Sequence, residues 1–247
     1  MSDTSGHRTT TDELLALLDD VDDHDGFCPT VVTGTITAAS ADVATVSFTD
    51  ATGTSRSGRL AAHEWAGPHT WQIGHTYTML MLDPGPRPFL STADPRLIPA
   101  LLDGVSPEVR SGKVAVMGIA RKPGARTKVA VAATMDGIDP VAACVGRNHN
   151  RVDDVRAAIG GEQVDYVAWN PDPAVFLANA MQPATCRHVV IDAGSGQALA
   201  VAPDHQMSAA VGTGGLNSAL AGRLTGLRVR VIAESKASTL ADLTPPA

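Results

Sequence analysis

The stretch APDHQMSAAVGTGGLNSALAGRLTGLRVRV, residues 202–231, decides the fold of this chain. Apolar residues recur at helical spacing on both sides of a break, Gly212-Thr213-Gly214-Gly215, which predicts helices at Asp204–Val211 and Leu216–Leu224. Gly226 ends the second helix, and the run Leu227–Ala233, rich in valine, predicts a strand. We therefore expect a helix, a glycine loop, a second helix and a strand in succession.

The residues before this stretch complete a small module, because Pro173–Met181 predicts a helix and both Arg187–Asp192 and Ala198–Ala202 predict strands. The same order of elements occurs earlier in the chain, around DPVAACVGRNHNRVDDV (139–155). Its predicted elements are a helix Arg96–Leu102 ended by Gly104, strands Lys113–Ala120 and Thr127–Ala133, helices Asp139–Val145 and Arg151–Ile159, and a strand Gln163–Trp169. We interpret residues 96–171 and 172–235 as two copies of one α/β module.

Residues 29–95 have a different pattern, in which short runs of valine, threonine and isoleucine alternate with turn residues. The five predicted strands are Thr30–Ile36, Val43–Thr49, Ser57–Ala61, Tyr77–Leu82 and Phe89–Ser91. Five short strands in so short a region favour a small closed barrel of the oligonucleotide/oligosaccharide-binding type.

A glycine loop between two helices has a specific use beside a three-stranded sheet. Glycines let the backbone approach a nucleic-acid strand, and the following helix offers N–H groups to a phosphate. The GxxG loop of KH modules works in this way, and Gly212, Thr213, Gly214 and Gly215 fit it. The alternative is that these glycines only make a tight turn between helices.

The matching loop of the first copy is Gly146-Arg147-Asn148-His149. His149 stands where the second glycine would be, so its side chain could obstruct a close backbone approach. Gly146, Arg147 and Arg151 remain candidate contacts with phosphate.

A run of basic residues without an intervening acid precedes that loop. It consists of Arg110, Lys113, Arg121, Lys122, Arg126 and Lys128. Such a cluster would attract a phosphate backbone with marked salt dependence. The alternative is a hairpin whose charges are simply solvated.

The formal net charge of −7 is unevenly distributed. Residues 1–28 contain eight acids and one base, whereas bases and acids balance over the rest of the chain. The segment DELLALLDDVDD predicts a short amphipathic helix capped by Thr11. We expect this tail to dock on a basic partner surface or to compete with RNA by folding back; residues 236–247 form a second tail.

Several classes of protein are disfavoured. The sequence has no apolar run long enough for a membrane helix and no signal peptide at its start, and its three cysteines lie far apart. No catalytic, metal-binding or phosphate-loop motif is present, so we expect neither an enzyme nor a bound cofactor or metal. A monomeric cytoplasmic protein with reduced thiols is the simplest expectation.

Several stretches resemble, in order, the NusA family of bacterial transcription termination/antitermination factors. They are LIPALLDGVSPEVRSGKVAVMGIARKPGARTKVAV (97–131), residues 139–155, IGGEQVDYVAWNPDPAVFLANAMQPA (159–184) and residues 202–231. The resemblance implies an α+β chain with a five-stranded S1/OB-type barrel followed by two type II KH modules. It also implies binding of single-stranded nascent RNA and of RNA polymerase.

The chain also departs from the family pattern. The usual GPRG of the first KH loop is GRNH, the second loop lacks its usual lysine, and only the acidic tail stands where the family has an N-terminal polymerase-binding domain. Two hypotheses follow: a NusA-like RNA-binding factor that modulates pausing, termination or antitermination, or a degenerate protein-interaction module with little RNA binding.

Overall fold

The computed structural model describes residues 28–67 and 70–237. The predicted N-terminal helix and most of the predicted C-terminal tail therefore lie outside the described residues. Within the described ranges the chain is α+β, as the resemblance implied: a closed barrel is followed by two three-stranded sheets with helices.

The barrel is built from five strands that close in the order β1-β2-β3-β5-β4. The strands are β1 (Thr30–Ala39), β2 (Val43–Thr49), β3 (Ser55–Ala61), β4 (Thr76–Met81) and β5 (Phe89–Ser91). Side chains alternate between the barrel interior and its surface, and Ile36, Val46 and Leu60 are among those that fill the interior. The predicted barrel is confirmed to within a few residues at each strand end.

The first module follows the barrel directly. Its elements are α1 (Leu97–Val105), α2 (Pro107–Arg110), β6 (Val114–Lys122), β7 (Arg126–Ala133), α3 (Pro140–Val145), α4 (Asn150–Ala158) and β8 (Gln163–Ala168). The sheet order is β6-β7-β8, with β6 antiparallel and β8 parallel to the central strand.

One predicted boundary in this module is wrong. Helix α1 continues through Gly104 to Val105, and it ends where Ser106 caps the short helix α2. Pro107 cannot continue α1 because it has no N–H to donate, but it suits the first position of α2.

The second module repeats this order. Its elements are α5 (Pro173–Ala180), β9 (His188–Asp192), β10 (Gln197–Ala202), α6 (Met207–Val211), α7 (Leu216–Thr225) and β11 (Arg228–Ala233). The central strand β10 pairs antiparallel with β9 and parallel with β11, so the strand pairing matches that of the first module. The internal repeat predicted from the sequence is present.

The two modules share packing. The first sheet buries one face against its own helices, through Val129, Val131 and Val164. Its other face meets the second module, because Val167 of β8 lies in the same apolar core as Leu177 of α5. Leu224 of α7 reaches the backbone of β6 at Gly118, where a Cβ would lie 3.6 Å from its Cδ1.

The barrel also contacts the first module. Nη1 of Arg121, at the end of β6, donates to the carbonyl oxygen of Asp94 at 2.8 Å. The tip of the β6–β7 hairpin lies against the barrel, since a Cβ on Gly124 would be 2.4 Å from the carbonyl oxygen of Ala66.

No helix in these two described ranges is long and apolar enough to cross a membrane.

Candidate nucleic-acid interface

The two modules contain loops of nearly identical backbone shape. We call residues 146–149 the first loop and residues 212–215 the second loop. Gly146 has φ 77° and ψ 170°, and Gly212 has φ 75° and ψ 167°. His149 and Gly215, at the last position, share the left-handed conformation with φ 64° and 77°. The loops therefore present the same backbone to solvent although only the second has the full glycine pattern.

The first glycine of each loop is required by close packing as well as by its positive φ. A Cβ on Gly146 would lie 2.4 Å from Oδ1 of Asn150, and one on Gly212 would lie 2.7 Å from the backbone nitrogen of Asn217. Any larger residue would displace the start of the following helix. This contact fixes the angle at which each loop enters α4 or α7.

The first loop keeps its shape at an energetic cost. Asn148 and His149 both have positive φ, at 52° and 64°, where the second loop has Gly214 and Gly215. Left-handed backbone costs a non-glycine residue about 1–2 kcal/mol. Asn148 and His149 are exposed, so the surrounding fold holds the loop in this conformation while both side chains remain in solvent.

A polar brace holds each loop from behind; it is partly exposed in the first module and buried in the second. In the first module Nη1 of Arg151 donates to Oε2 of Glu108 at 2.7 Å and also to the carbonyl oxygen of Ala143. In the second, Nδ2 of Asn217 donates to the carbonyl oxygens of Met181 and Ala210 at 2.9 and 3.1 Å. Arg151 was expected to contact phosphate; its guanidinium instead stabilises the loop.

The Arg151–Glu108 pair also affects the carboxylate. The pKa of Glu108 lies below its usual range, first because its own backbone N–H donates to the carboxylate and then because of Arg151, against an opposing effect of burial. The brace is therefore ionised at neutral pH.

A shallow groove of about 390 Å³ runs beside the first loop. It is lined by Ile138, Asp139, Gly146, Arg147, Arg151 and Glu108, among others. Arg147 is exposed, and its side chain makes no hydrogen bond or ion pair with any residue of the described ranges. Glu108 and Arg151 neutralise each other in this groove, and the carboxylate of Asp139 caps the start of α3. Arg147 is the cation of the groove whose side chain has no partner among the described residues.

The predicted basic run does not form one surface. Strand β6 separates its members, and nine residues of extended chain span about 30 Å. Arg110 and Lys113 lie at the end of β6 near Glu108 and the groove, since the backbone N–H of Lys113 donates to the carbonyl oxygen of Glu108 at 2.9 Å. Lys122 and Arg126 lie at the other end, beside the barrel.

Two members of the basic run are buried, which corrects the sequence-based expectation. Arg121 is 4% exposed, and its Nε and Nη2 donate to the carboxylate of Glu162 at 3.0 and 2.9 Å. The same carboxylate accepts from the backbone N–H of Gly124 at 2.8 Å and from the hydroxyl of Thr127. Glu162 therefore holds the β6–β7 hairpin together, and Arg121 is unable to reach RNA from this position.

Lys128 is also buried, with a side-chain exposure of 0%. Its Nζ donates to the carbonyl oxygen of Gln182 at 2.6 Å and to Asp165 at 3.2 Å. Burial lowers its pKa, against an opposing effect of Asp165. Since Gln182 belongs to the second module, Lys128 joins the two modules and does not contribute to an external basic surface.

The other four residues of the basic run differ in whether their side chains are already paired within the chain. Arg126 binds Asp165 through two hydrogen bonds of 2.6 and 3.0 Å. Arg110 donates to the carbonyl oxygens of Asp103 and Gly104 at the end of α1. Lys113 and Lys122 are exposed and make no ion pair with a described residue, so both can meet a phosphate directly.

Comparison with known proteins agrees with this geometry. Residues 92–169 match the family model of the NusA-like first KH domain, and residues 173–239 match that of the NusA-like second KH domain. The chain carries the paired KH domains of the NusA family. The first and second modules are hereafter the first and second KH domains.

The similar curated relatives are transcription termination/antitermination proteins NusA. The protein of Halalkalibacterium halodurans is 35% identical over 63% of this chain and 41% of the relative. The protein of Thermus thermophilus is 39% identical over 58% of this chain and 37% of the relative. The protein of Bacillus subtilis is 34% identical over 63% of this chain and 42% of the relative. The matched part thus spans about two fifths of the length of these relatives. The crystal structure of APE1850 is 19% identical, with a TM-score of 0.42, over 56% of this chain and 96% of that chain.

The barrel in front of the KH domains has an exposed aromatic ring beside a cation. Phe48 is buried, and the rings of Trp65 and Tyr77 stand edge to face with centroids 4.7 Å apart. Phe89 is 47% exposed, and the guanidinium of Arg59 lies 4.1 Å from its ring centroid. Strand alternation could have indicated this pair, because Arg59 and Phe89 both flank interior leucines.

In the described part of the chain no group of three or more histidine, cysteine or acidic side chains is placed to hold a metal ion. Cys144 and Cys186 are free thiols, and burial raises the pKa of their thiols to about 12 and about 11. These two cysteines are therefore neutral and poorly nucleophilic at neutral pH.

Proposed function

We propose that this chain binds single-stranded RNA across its two KH domains and, as a NusA-like factor, modulates transcription by bacterial RNA polymerase. The observation that carries the proposal is the pair of loops with matching backbone geometry, one in each KH domain. The relatives of the chain are named as transcription termination/antitermination proteins.

The second loop is suited to bind the RNA backbone with its own main chain. Helix α7 begins at Leu216, and its N-cap residue Gly215 has no side chain, so the N–H groups of its first turn have no side-chain acceptor. Such groups bind phosphate together with the positive end of the helix dipole. A Cβ on Gly214 or Gly215 would meet nothing within 4 Å, which means that this part of the loop is open to a ligand.

Charge supports a contribution from the first KH domain. The exposed cations Lys113 and Arg147 lie on the groove side of the first KH domain. Salt should therefore weaken binding, with a slope of log K against log salt of about −0.7 for each phosphate contacted. Arg121, Lys128 and Arg151 should contribute little to this slope because each is held in an internal pair or brace.

A charge reversal in the second loop tests the proposal. Thr213 is exposed in that loop and has a helical φ, so Thr213→Glu adds a carboxylate without straining the backbone. We expect fluorescence anisotropy with a labelled twelve-nucleotide oligouridylate to show at least a tenfold weaker Kd. Lys236→Glu, an exposed change beyond β11, is the control and should change the Kd by much less.

The effect on transcription needs a separate measurement. Addition of the chain to a purified bacterial elongation complex should change the fraction of transcripts that end at an intrinsic terminator, and Thr213→Glu should abolish the change. A different outcome would be that the nuclease-treated chain binds polymerase but binds no oligonucleotide even at low salt. The chain would then be a protein-interaction module, and the RNA part of the proposal would fail.

A further inference from the structure

The first KH loop displays two basic side chains where the second displays none. Arg147 and His149 stand in the first loop, and Thr213 and Gly215 occupy the matching places in the second. We propose that Arg147 and protonated His149 clamp neighbouring phosphates of single-stranded RNA, so that the first KH domain binds RNA more tightly as the pH falls. This inference rests on the proposed RNA-binding function and assigns the first loop a contact made by side chains.

The backbone geometry shows where the imidazole points. Because the two loops share their dihedral angles, the Cβ of His149 leaves the backbone in the direction that a Cβ on Gly215 would take. That direction is empty, since nothing lies within 4 Å of it. The same holds for Asn148 and the matching Gly214. His149 is itself exposed, so its imidazole is in solvent and is not folded onto the domain.

The elements packed against the loop leave the imidazole without a counter-ion. Helix α3 has no charged residue, and its Cys144 is buried with a thiol pKa raised to about 12. Of the charged residues on α4, Arg151 pairs with Glu108, and Asp153 lies 3.4 Å from Arg156.

Two further carboxylates belong to these elements. Asp139 accepts hydrogen bonds from the backbone N–H groups of Val141 and Ala142 at the start of α3. Asp154 is exposed on α4 and makes no ion pair within the described ranges. His149 itself contacts none of these carboxylates. An imidazolium at this position is thus available to an external anion.

Protonation changes the number of charges that the loop offers. Neutral imidazole can form a hydrogen bond with phosphate, but imidazolium donates from both nitrogens and adds a charge two residues from Arg147. One more neutralised phosphate should steepen the salt slope by about 0.7. Over a fourfold rise in salt concentration this corresponds to a further loss of affinity of about threefold. Uracil does not titrate in this pH range, so an oligouridylate probe isolates the protein.

The experiment compares the Kd of the full chain for the labelled twelve-nucleotide oligouridylate at about pH 6 and about pH 8, each over a salt series. The chain should bind at least threefold more tightly at the lower pH and with the steeper salt slope. His149→Gln should remove both differences, because glutamine retains hydrogen bonding without a charge. His188→Gln is the control, since His188 is an exposed histidine on β9 of the second KH domain and its loss should leave the pH dependence intact.

His149→Gly separates a clamp from an obstruction. Glycine suits the left-handed backbone at this position, so this variant keeps the fold. Tighter binding of His149→Gly than of the unaltered chain at both pH values would mean that the imidazole blocks RNA, and the inference would be wrong. Affinity that does not depend on pH would also overturn it while leaving the proposed function in place. Absence of binding at both pH values and low salt would overturn both.

Discussion

Glu162 shows how much one carboxylate can determine inside this chain. It is buried, and it satisfies a buried guanidinium, a backbone N–H and a hydroxyl at once. Removal of one member of a buried ion pair leaves an unpaired charge and costs about 3–5 kcal/mol. Glu162→Ala should therefore lower the free energy of unfolding by about that amount in urea denaturation.

The matched control is Glu234→Ala, which removes an exposed carboxylate 3.6 Å from Arg187. An exposed pair contributes about 0–1 kcal/mol, so this variant should unfold close to the unaltered chain. Equal losses in the two variants would show that the Arg121–Glu162 pair is not a major source of stability.

The buried bases Arg121 and Lys128 show what could not be predicted from the sequence for single residues. Arg121 and Lys128 stand in a run of bases without acids, which suggested an exposed surface. Their partners Glu162 and Asp165 follow some forty positions later, and only the parallel pairing of β7 with β8 brings them alongside. Arg147, by contrast, was expected in a loop between two helices, and it lies there.

Each KH loop behaves as a unit whose first glycine is fixed by packing. Gly212→Ala would place a Cβ 2.7 Å from the backbone of α7, in addition to the strain of positive φ. We expect a loss of about 2–4 kcal/mol in the free energy of unfolding, since strain alone costs about 1–2 kcal/mol.

Gly214→Ala is the control that separates backbone strain from contact with α7. It imposes the same type of strain, with φ 60°, but its Cβ meets nothing within 4 Å. Thermal unfolding should therefore show a clearly smaller loss of stability than for Gly212→Ala. Equal losses would mean that strain, and not contact with α7, explains the glycine.

Most of the helices and strands in the described residues could be predicted from the sequence. The glycine loops were found because the apolar spacing breaks between two helices, and the barrel strands because short β-branched runs end at turns. Helix α2 was missed because four residues are too few to show a periodicity. The pair Ser106-Pro107 was the available signal, since serine caps a helix and proline occupies its first position.

In the molecule as a whole, the two KH domains should unfold together. Val167 belongs to the first sheet but is fully buried in the core of the second domain. Val167→Ala should cost about 2 kcal/mol through lost burial and a cavity. Hydrogen exchange should show faster exchange of the amides of β7 and of β10 by the same factor.

Val46→Ala removes the same carbon atoms from the barrel core and is the matched control. It should leave the amides of β10 with unaltered protection. If Val167→Ala speeds exchange in β7 alone, the KH domains unfold independently. The sequence showed the repeat but not this shared core, because a repeat alone does not say which faces of its copies meet.

The shared face also has a consequence for synthesis of the chain on the ribosome. Once Ala168 has emerged, the first sheet is complete, but its face around Ala130 and Val167 has no cover until α5 and α7 have formed. At roughly 5–20 residues per second, translation from Ala168 to Thr225 takes about 3–11 seconds. During that interval the nascent chain displays an apolar β-sheet face, which makes this a stage at which a chaperone could bind or premature aggregation could begin.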